Sequence, residues 1–388
     1  MKKRVDPLIR FEKFGGIIAA EDPPILAFVD KDYIKSRYDQ ESPLWGKHDD
    51  KILSAPIEAH YAVTNYCPSE CPGCYMASEN DSGLKVSDHE NYDDVLAIAD
   101  SLIDLNIFHV ALGGGESFSA PWFTDLADYF RSNGVIPNVT TSGYYINEEL
   151  IDKCGAFGQI NVSLDGLTDR ENPSRPVGHF NRADAALKLL RKKGIRTGIN
   201  CIISRHNFDT LEDIIRYAKK LGLTDIEFLR FKPSGRGKDI YHDMALTKEQ
   251  GKALFPKLKK LARQYRIALK LDCSFTPFVC YHNPSKKVLE FFSILGCDAG
   301  NWLIGVGPRG NVSPCSFIDD HDIDYKNIKT KWGKDETYSV FRQWDQNPTG
   351  ACGKCSYLTV CKGGCHAVSK FISGSYHAPD PECPFVTG

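Results

Sequence analysis

Between residues 58 and 229 the chain changes texture six times from short apolar run to amphipathic stretch. The runs Glu58–Asn65, Phe108–Leu112, Ile136–Thr141, Gln159–Leu164, Thr197–Ile203 and Asp225–Leu229 read as strands. The intervals Ser87–Leu105, Trp122–Ser132, Asn147–Lys153, Asn181–Lys193 and Thr210–Leu221 read as helices, and another spans Leu246–Tyr265. In the first, Ser87 is the predicted cap, and Val95, Ile98, Leu102 and Leu105 recur at helical spacing. A strand reached through a helix returns parallel to its predecessor. The class is therefore α/β, either an open doubly wound sheet or a TIM-like barrel, with ligands beyond the carboxyl ends of the strands.

The ends of the chain differ from this middle. Residues 1–56 carry Gly15-Gly16, Pro23-Pro24, Pro43 and Pro56, and only Ile25–Val29 reads as a strand. They are expected to form an N-terminal extension without a large core. After about residue 270, Gly, Pro and Cys crowd in and helical periodicity fades except around Lys286–Leu295. Asn301–Val306 and Asn311–Ser313, joined through Gly307-Pro308-Arg309-Gly310, read as a β-hairpin. The expected units are 1–56, 57–270 and 271–388.

Composition narrows the functional classes. With 42% hydrophobic and 25% charged residues and a net charge of −2, the chain can bury a core and has no strong field for nucleic acid or anionic membrane. No apolar run is long enough to span a bilayer. Charged residues interrupt the basic N-terminus, so no signal peptide is expected and a cytoplasmic location is. In a reducing compartment, 14 cysteines point to metal or redox use rather than disulfides.

Their spacing is specific. Cys67-x3-Cys71-x2-Cys74 follows the first strand directly. Three thiolates in one loop can wrap a corner of a four-iron cluster and leave one iron open; a three-cysteine zinc site is the alternative. His60, the nearest histidine, lies within the strand. A second string runs Cys297, Gly310, Cys315, then Cys352-x2-Cys355-x5-Cys361-x3-Cys365, and finally Cys383. Seven thiolates exceed the needs of one cluster. Cys154 and Cys201 are expected to be buried packing.

The first loop, in its place after the first of the repeated strands, resembles the radical SAM superfamily, although Gly73 stands where that family usually has an aromatic residue before the third cysteine. The resemblance implies a partial (β/α)6 TIM-like barrel. It implies that Cys67, Cys71 and Cys74 hold a 4Fe–4S cluster whose open iron takes the amino and carboxylate groups of S-adenosylmethionine. Gly114, Gly115 and Glu116 resemble the family's Gly-Gly-Glu motif for the methionine amino group. Ser163 and Asp165 would meet the ribose or carboxylate, with an Asp-Gly turn as the alternative. Tyr75 would supply the bulk missing at Gly73, and Thr140–Gly143 and Arg230 share the predicted rim. The C-terminal string is similar to the seven-cysteine SPASM extension. That implies two auxiliary 4Fe–4S clusters, one held by Cys352, Cys355, Cys361 and Cys383 and the other by Cys297, Cys315 and Cys365. Cys280 is the first candidate for the latter's fourth ligand, Cys273 the second, and an open iron the third.

The implied activity is reductive cleavage of S-adenosylmethionine to a 5′-deoxyadenosyl radical that abstracts a substrate hydrogen. The expected substrate is a ribosomally made precursor peptide, altered by a thioether, a carbon–carbon crosslink or backbone excision. A separate leader-binding partner and a flavodoxin- or ferredoxin-type electron donor are expected. Sulfatase-maturing relatives carry an acidic residue where this chain has Ser316, which weighs against the alternative of a formylglycine-generating enzyme. From another class, the alternative is a non-enzymatic electron-transfer or zinc scaffold protein. No catalytic acid or base is identified; Asp272, Arg230, Lys232 and Tyr144 near the rim carry no assigned role.

Overall fold

The computed structural model describes residues 7–21, 24–46, 52–80, 91–318, 320 and 323–386. Six parallel strands form its centre: β4 (Glu58–Thr64), β5 (His109–Gly114), β6 (Ile136–Thr141), β7 (Gln159–Ser163), β8 (Thr197–Ile203) and β9 (Asp225–Arg230). They follow β1 (Leu8–Glu12), β2 (Gly15–Glu21) and β3 (Pro24–Asp30) of a separate N-terminal sheet. Each central strand neighbours the next in chain order. A doubly wound sheet would reverse that order part-way, so the strands are staves of a partial barrel, as expected.

The sheet continues past both edges. β10 (Ala268–Leu271) adds parallel to β9. β11 (Leu303–Val306) adds parallel to β4, placing Gly305 opposite His60. β12 (Asn311–Ser313) and β13 (Ile323–Asp324) extend that edge antiparallel. The cysteine-rich segment is therefore built onto the barrel and is not an independent lobe. The expected hairpin is β11–β12, and Gly310 holds its turn at φ +80, where a Cβ would strike the Tyr325 ring at 2.3 Å.

Alternation along the strands sets the two faces. Ala59, Tyr61 and Val63 of β4 and Val110 and Leu112 of β5 are buried with Val95, Ile98 and Leu102 of the helix Tyr92–Asp104. The opposite parity points into the lumen and is polar: Glu58 and His60, His109, Asn138 and Thr140, Gln159 and Asn161, Asn200, Glu227. A chain of hydrogen bonds crosses it. Gln159 donates to Asn161 at 2.7 Å, Asn161 to Asn200 at 2.8 Å and Asn200 to Thr140 at 2.8 Å. Parallel strands covered on both faces are ordinarily apolar on both. The inner face of this barrel is polar instead.

The helices follow the expected spans with small shifts. Asn91 caps Tyr92–Asp104, and the predicted cap Ser87 lies outside the described residues. The segment preceding Lys248–Tyr265 adds an unexpected helix, Gly237–Met244. Thr247 separates them by a capping box with Gln250.

The N-terminal residues are more than an extension. Strands β1–β3 pair antiparallel and the helix Lys31–Tyr38 follows. Gly15 begins β2 and Pro24 begins β3, so these residues mark strand junctions instead of preventing strands. Arg10 pins the sheet to the barrel. Its buried guanidinium donates to Glu12 at 2.9 Å, Ala55 O at 2.9 Å and Pro56 O at 2.7 Å, and lies over the Phe108 ring.

Candidate active site

The loop leaving β4 carries Cys67, Cys71 and Cys74, and backbone bonds hold it open around them. Cys67 N–H donates to Glu79 O at 2.9 Å and Cys74 N–H to Cys71 O at 3.2 Å. Glu70 and Ala77 take left-handed φ values of 45° and 52° to make the bends. The Cys74 sulfur accepts from Ser78 N–H at 3.4 Å. Burial pushes the Cys67 thiol up to about 11, and Glu116 and Cys71 nearby add to the effect. Burial also raises Cys71, opposed by the adjacent Arg175 guanidinium. Three mutually close thiols need a cationic group to become thiolates together. Their donor set and shared loop fit the open-cornered cluster inferred above. Among the described residues, no three His, Cys, Asp or Glu side chains converge as a single ion requires.

Gly73 has a local cause. A Cβ there would lie 2.7 Å from Ser174 Cβ and 3.1 Å from the Phe231 ring, so an aromatic side chain from β9's end fills that space. Tyr75 packs on Phe317 with ring centroids 5.3 Å apart, joining the loop to the segment after Cys315. The glycine turn ending β5 lies against the base of the same loop. Gly115 N–H donates to Thr64 O at 2.7 Å and Glu116 N–H to Tyr66 O at 2.8 Å. A Cβ on Gly115 would fall 1.9 Å from Tyr66 O, and Gly114 sits at φ +113. The turn therefore needs glycine at both positions.

The two carboxylates that the resemblance singles out also hold the fold together at the rim. Glu116 is 1% exposed. It accepts from Thr141 Oγ1 at 2.7 Å and from Ser142 N–H at 2.9 Å and Oγ at 2.5 Å. Burial raises its pKa against those bonds. It fastens the end of β5 to the end of β6. Asp165 is likewise bonded within the fold. It accepts from Ser174 Oγ at 2.9 Å, Ile202 N–H at 2.8 Å and Arg175 Nε at 2.8 Å. Through that bond it holds Arg175 beside Cys71. Arg175 carried no motif signal. Ser163 ends β7 at the rim, and its carbonyl is bonded to His179 Nε2 at 2.7 Å.

Arg230 is also reassigned. Its guanidinium forms a fork with Asp380 at 2.5 and 2.8 Å and reaches Glu382 at 3.2 Å. Asp380 in turn accepts from Cys365 N–H at 2.9 Å. Arg230 thus locks the barrel to the C-terminal cysteines and does not face the cofactor rim. Asp272 and Lys232 pair at 2.5 Å, and Tyr144 lies under the Arg182 guanidinium.

The seven C-terminal cysteines fall into two groups. Cys352, Cys355, Cys361 and Cys383 line one small cavity, and Cys280 lines it too. Burial pushes the Cys297 thiol up, with Cys365 and Cys315 beside it adding to the rise. Burial raises Cys273 as well, with Asp298 and Cys297 as its charged neighbours. Cys280 therefore belongs beside the first group, in contact with Cys361, and is misplaced as a fourth ligand to the second. The turn Cys273–Phe275, capped by Asp272, carries Cys273 toward Cys297 instead. Cys154 and Cys201 are buried in the main core.

Comparison with known proteins agrees with this geometry. The profile of the Radical SAM superfamily matches residues 61–225. The mycofactocin maturase MftC of Mycobacterium ulcerans is 31% identical over 339 residues, covering 85% of this chain and 88% of the relative. An AdoMet-dependent heme synthase of Methanosarcina barkeri is 25% identical, over 87% of this chain and 99% of its own. The PqqA peptide cyclase of Ruegeria pomeroyi is 26% identical, over 87% and 90%. Among solved structures, Streptococcus suis SuiB bound to precursor peptide SuiA superposes with a TM-score of 0.75 at 15% identity, covering 97% of this chain and 98% of SuiB. Three thiols facing a glycine turn at the rim of a partial barrel, with relatedness along nearly the whole chain, place it: the protein belongs to the radical SAM superfamily.

Proposed function

We propose that this enzyme matures a ribosomally made precursor peptide in the cytoplasm. The observation carrying the proposal is the polar inner face of the barrel, where Asn161 donates to Asn200 and Asn200 to Thr140, which suits a hydrogen-bonding peptide segment. Two of the relatives are named a maturase and a peptide cyclase, which supports the reading. The heme synthase relative favours a second reading, a small-molecule substrate at the same face.

In this reading Cys67, Cys71 and Cys74 hold a 4Fe–4S cluster, with Arg175 stabilising the thiolate of Cys71. The glycine turn presents backbone to the methionine end of S-adenosylmethionine, with Ser163 at the rim. Bound together, cluster and S-adenosylmethionine supply a radical able to take hydrogen from an unactivated carbon. Cys352, Cys355, Cys361 and Cys383 hold one auxiliary cluster. Cys297, Cys315 and Cys365 hold the other, with Cys273 as its fourth ligand. A flavodoxin or ferredoxin delivers the electron. Leader recognition falls to a separate partner; the alternative is the edge strand β3, which carries exposed Ile25, Leu26 and Phe28. Tight leader binding to this chain alone would select the edge.

The test is co-expression with the short peptides encoded beside its gene, followed by mass spectrometry. Loss of two hydrogens indicates a crosslink and a larger loss indicates excision. No change in any such peptide, with a tetrapyrrole or other small molecule converted instead, selects the second reading.

A further inference from the structure

The short helix Lys286–Phe291 buries only Leu289 and turns its other side chains to solvent. Val288, Phe291 and Phe292 recur at helical spacing on the outer face. Ile294 follows past a bend at Ser293, where φ is +52. Phe291 is 82% exposed and Phe292 65%, and their rings meet edge to face with centroids 5.1 Å apart. Single exposed apolar residues are ordinary on a surface, whereas a contiguous group of them marks a contact site.

Leu289 ties this patch to the second cysteine region. It packs with Cys280, Tyr357, Val360 and Cys361, and Cys355 borders the same apolar core. Both ends of the segment are bonded to the cysteine-bearing stretch. The Tyr357 hydroxyl donates to Pro284 O at 2.7 Å, and Gly296 N–H donates to Val360 O at 2.7 Å. A Cβ on Gly296 would lie 1.8 Å from Cys361 O, so bare glycine permits that approach. Tyr357, Cys355 and Cys361 also line the small cavity shared by Cys352 and Cys383. The patch is therefore the outer side of an apolar core whose inner side lines the four-thiol cavity.

The rim of the patch is basic. Lys286 and Lys287 begin the short helix, and Glu290 is its one carboxylate. Phe255 of the helix Lys248–Tyr265 packs on the same core, with Lys252 and Lys259 one turn to either side. Glu249 is the one acid of that longer helix. Lys259 Nζ stands 6.0 Å from the Phe255 ring centre, and Lys286 Nζ 5.9 Å from that of Tyr357. An apolar centre rimmed by ammonium groups is complementary to an acidic electron carrier whose redox group opens at an apolar spot among carboxylates.

We propose that a flavodoxin-type carrier docks on this face, the exposed edge of its flavin on Phe291 and Phe292 and its carboxylates on Lys259, Lys286 and Lys287. The aromatic pair selects a flavin, because it offers ring edges and faces to a flat apolar ring. The proposal rests on the reading of Cys352, Cys355, Cys361 and Cys383 as an auxiliary-cluster site. On docking, the reduced flavin is oxidised by one electron and the four-thiolate site is reduced by one, with no bond made or broken.

The test measures binding. Oxidised, FMN-loaded flavodoxin is titrated into the reconstituted enzyme by calorimetry at low and high salt. Affinity is expected to fall as salt screens the lysines. Phe291→Ser with Phe292→Ser, and separately Lys286→Glu with Lys287→Glu, are expected to weaken Kd about tenfold or more. Ile25→Ser, on the exposed N-terminal sheet, is expected to bind as wild type does. Iron content and dithionite-driven cleavage of S-adenosylmethionine stay at the wild-type level in all of them, which separates a lost contact from a lost fold. Wild-type affinity in both double variants would overturn the proposal. So would absence of flavodoxin binding to wild type, with or without binding of an acidic ferredoxin. A wild-type dimer in sedimentation that the phenylalanine variant dissolves would give the face to a second copy and overturn it too. Full iron content in Cys352→Ala would overturn the cluster reading on which the electron route rests, a result distinct from carrier affinity that the surface variants leave unchanged.

Discussion

Cys67, Cys71 and Cys74 stand out in the chain because a cluster would demand thiolates at fixed spacing, whatever surrounds them. Replacing any one by Ala is expected to cost about four irons per chain and S-adenosylmethionine cleavage, as measured by iron assay and nucleoside chromatography. Carboxylates behave differently. The bonds that Glu116 and Asp165 make inside the fold depend on which donors it brings to them, and Thr141, Ser142 and Arg175 supply these. The same logic moved the fourth-ligand candidate. The sequence ranks Cys280 ahead of Cys273, and only a turn and one short helix separate their destinations. Cys273→Ala should alter the auxiliary-cluster Mössbauer and electron paramagnetic resonance signatures, while Cys280→Ala should leave that cluster's signature unchanged. The reverse pattern would restore Cys280.

The strand–helix alternation made the barrel legible, and its six central strands stand where the apolar runs fall. A second signal lay in those same runs. Glu58-x-His60, Asn138-x-Thr140 and Gln159-x-Asn161 place polar residues at every other position, the signature of an inner wall. Short pieces were not legible. β1 and β2 sit among Gly and charged residues, and β10 has only four residues, so partners across the sheet decide them. Elements also depend on the glycine turn. Gly115→Ala would drive a methyl group into Tyr66 O. The expected cost is about 2 kcal/mol or more in stability, with poorer cluster retention, read as a lower denaturant midpoint and lower iron content.

Across the whole molecule, one buried fork ties the two cysteine regions together. Arg230 and Asp380 are 3% and 0% exposed. Arg230→Met would strand the Asp380 carboxylate, and a loss of about 3–5 kcal/mol is expected from chemical denaturation. No sequence spacing announces a pair separated by 150 residues. Acid stability has a separate origin. His179 is fully buried and donates Nε2–H to Ser163 O. Burial and the nearby Arg175 hold its pKa down at about 4, below its ordinary 6.5. The unfolded chain therefore binds more protons between those values. The stabilisation is whole above pH 6.5 and is lost as pH falls toward 4, by about 3 kcal/mol. His179→Gln should flatten the denaturant midpoint across that window. No helix among the described residues is long and apolar enough to cross a membrane.

The central claim is that the Cys67–Cys71–Cys74 loop initiates radical chemistry with S-adenosylmethionine. Anaerobically reconstituted protein, reduced with dithionite and given S-adenosylmethionine, is predicted to be brown and to release 5′-deoxyadenosine and methionine in equal amounts, and the Cys71→Ala protein to release neither. Colourless, zinc-replete protein, or wild type that leaves S-adenosylmethionine intact with its iron in place, would contradict it.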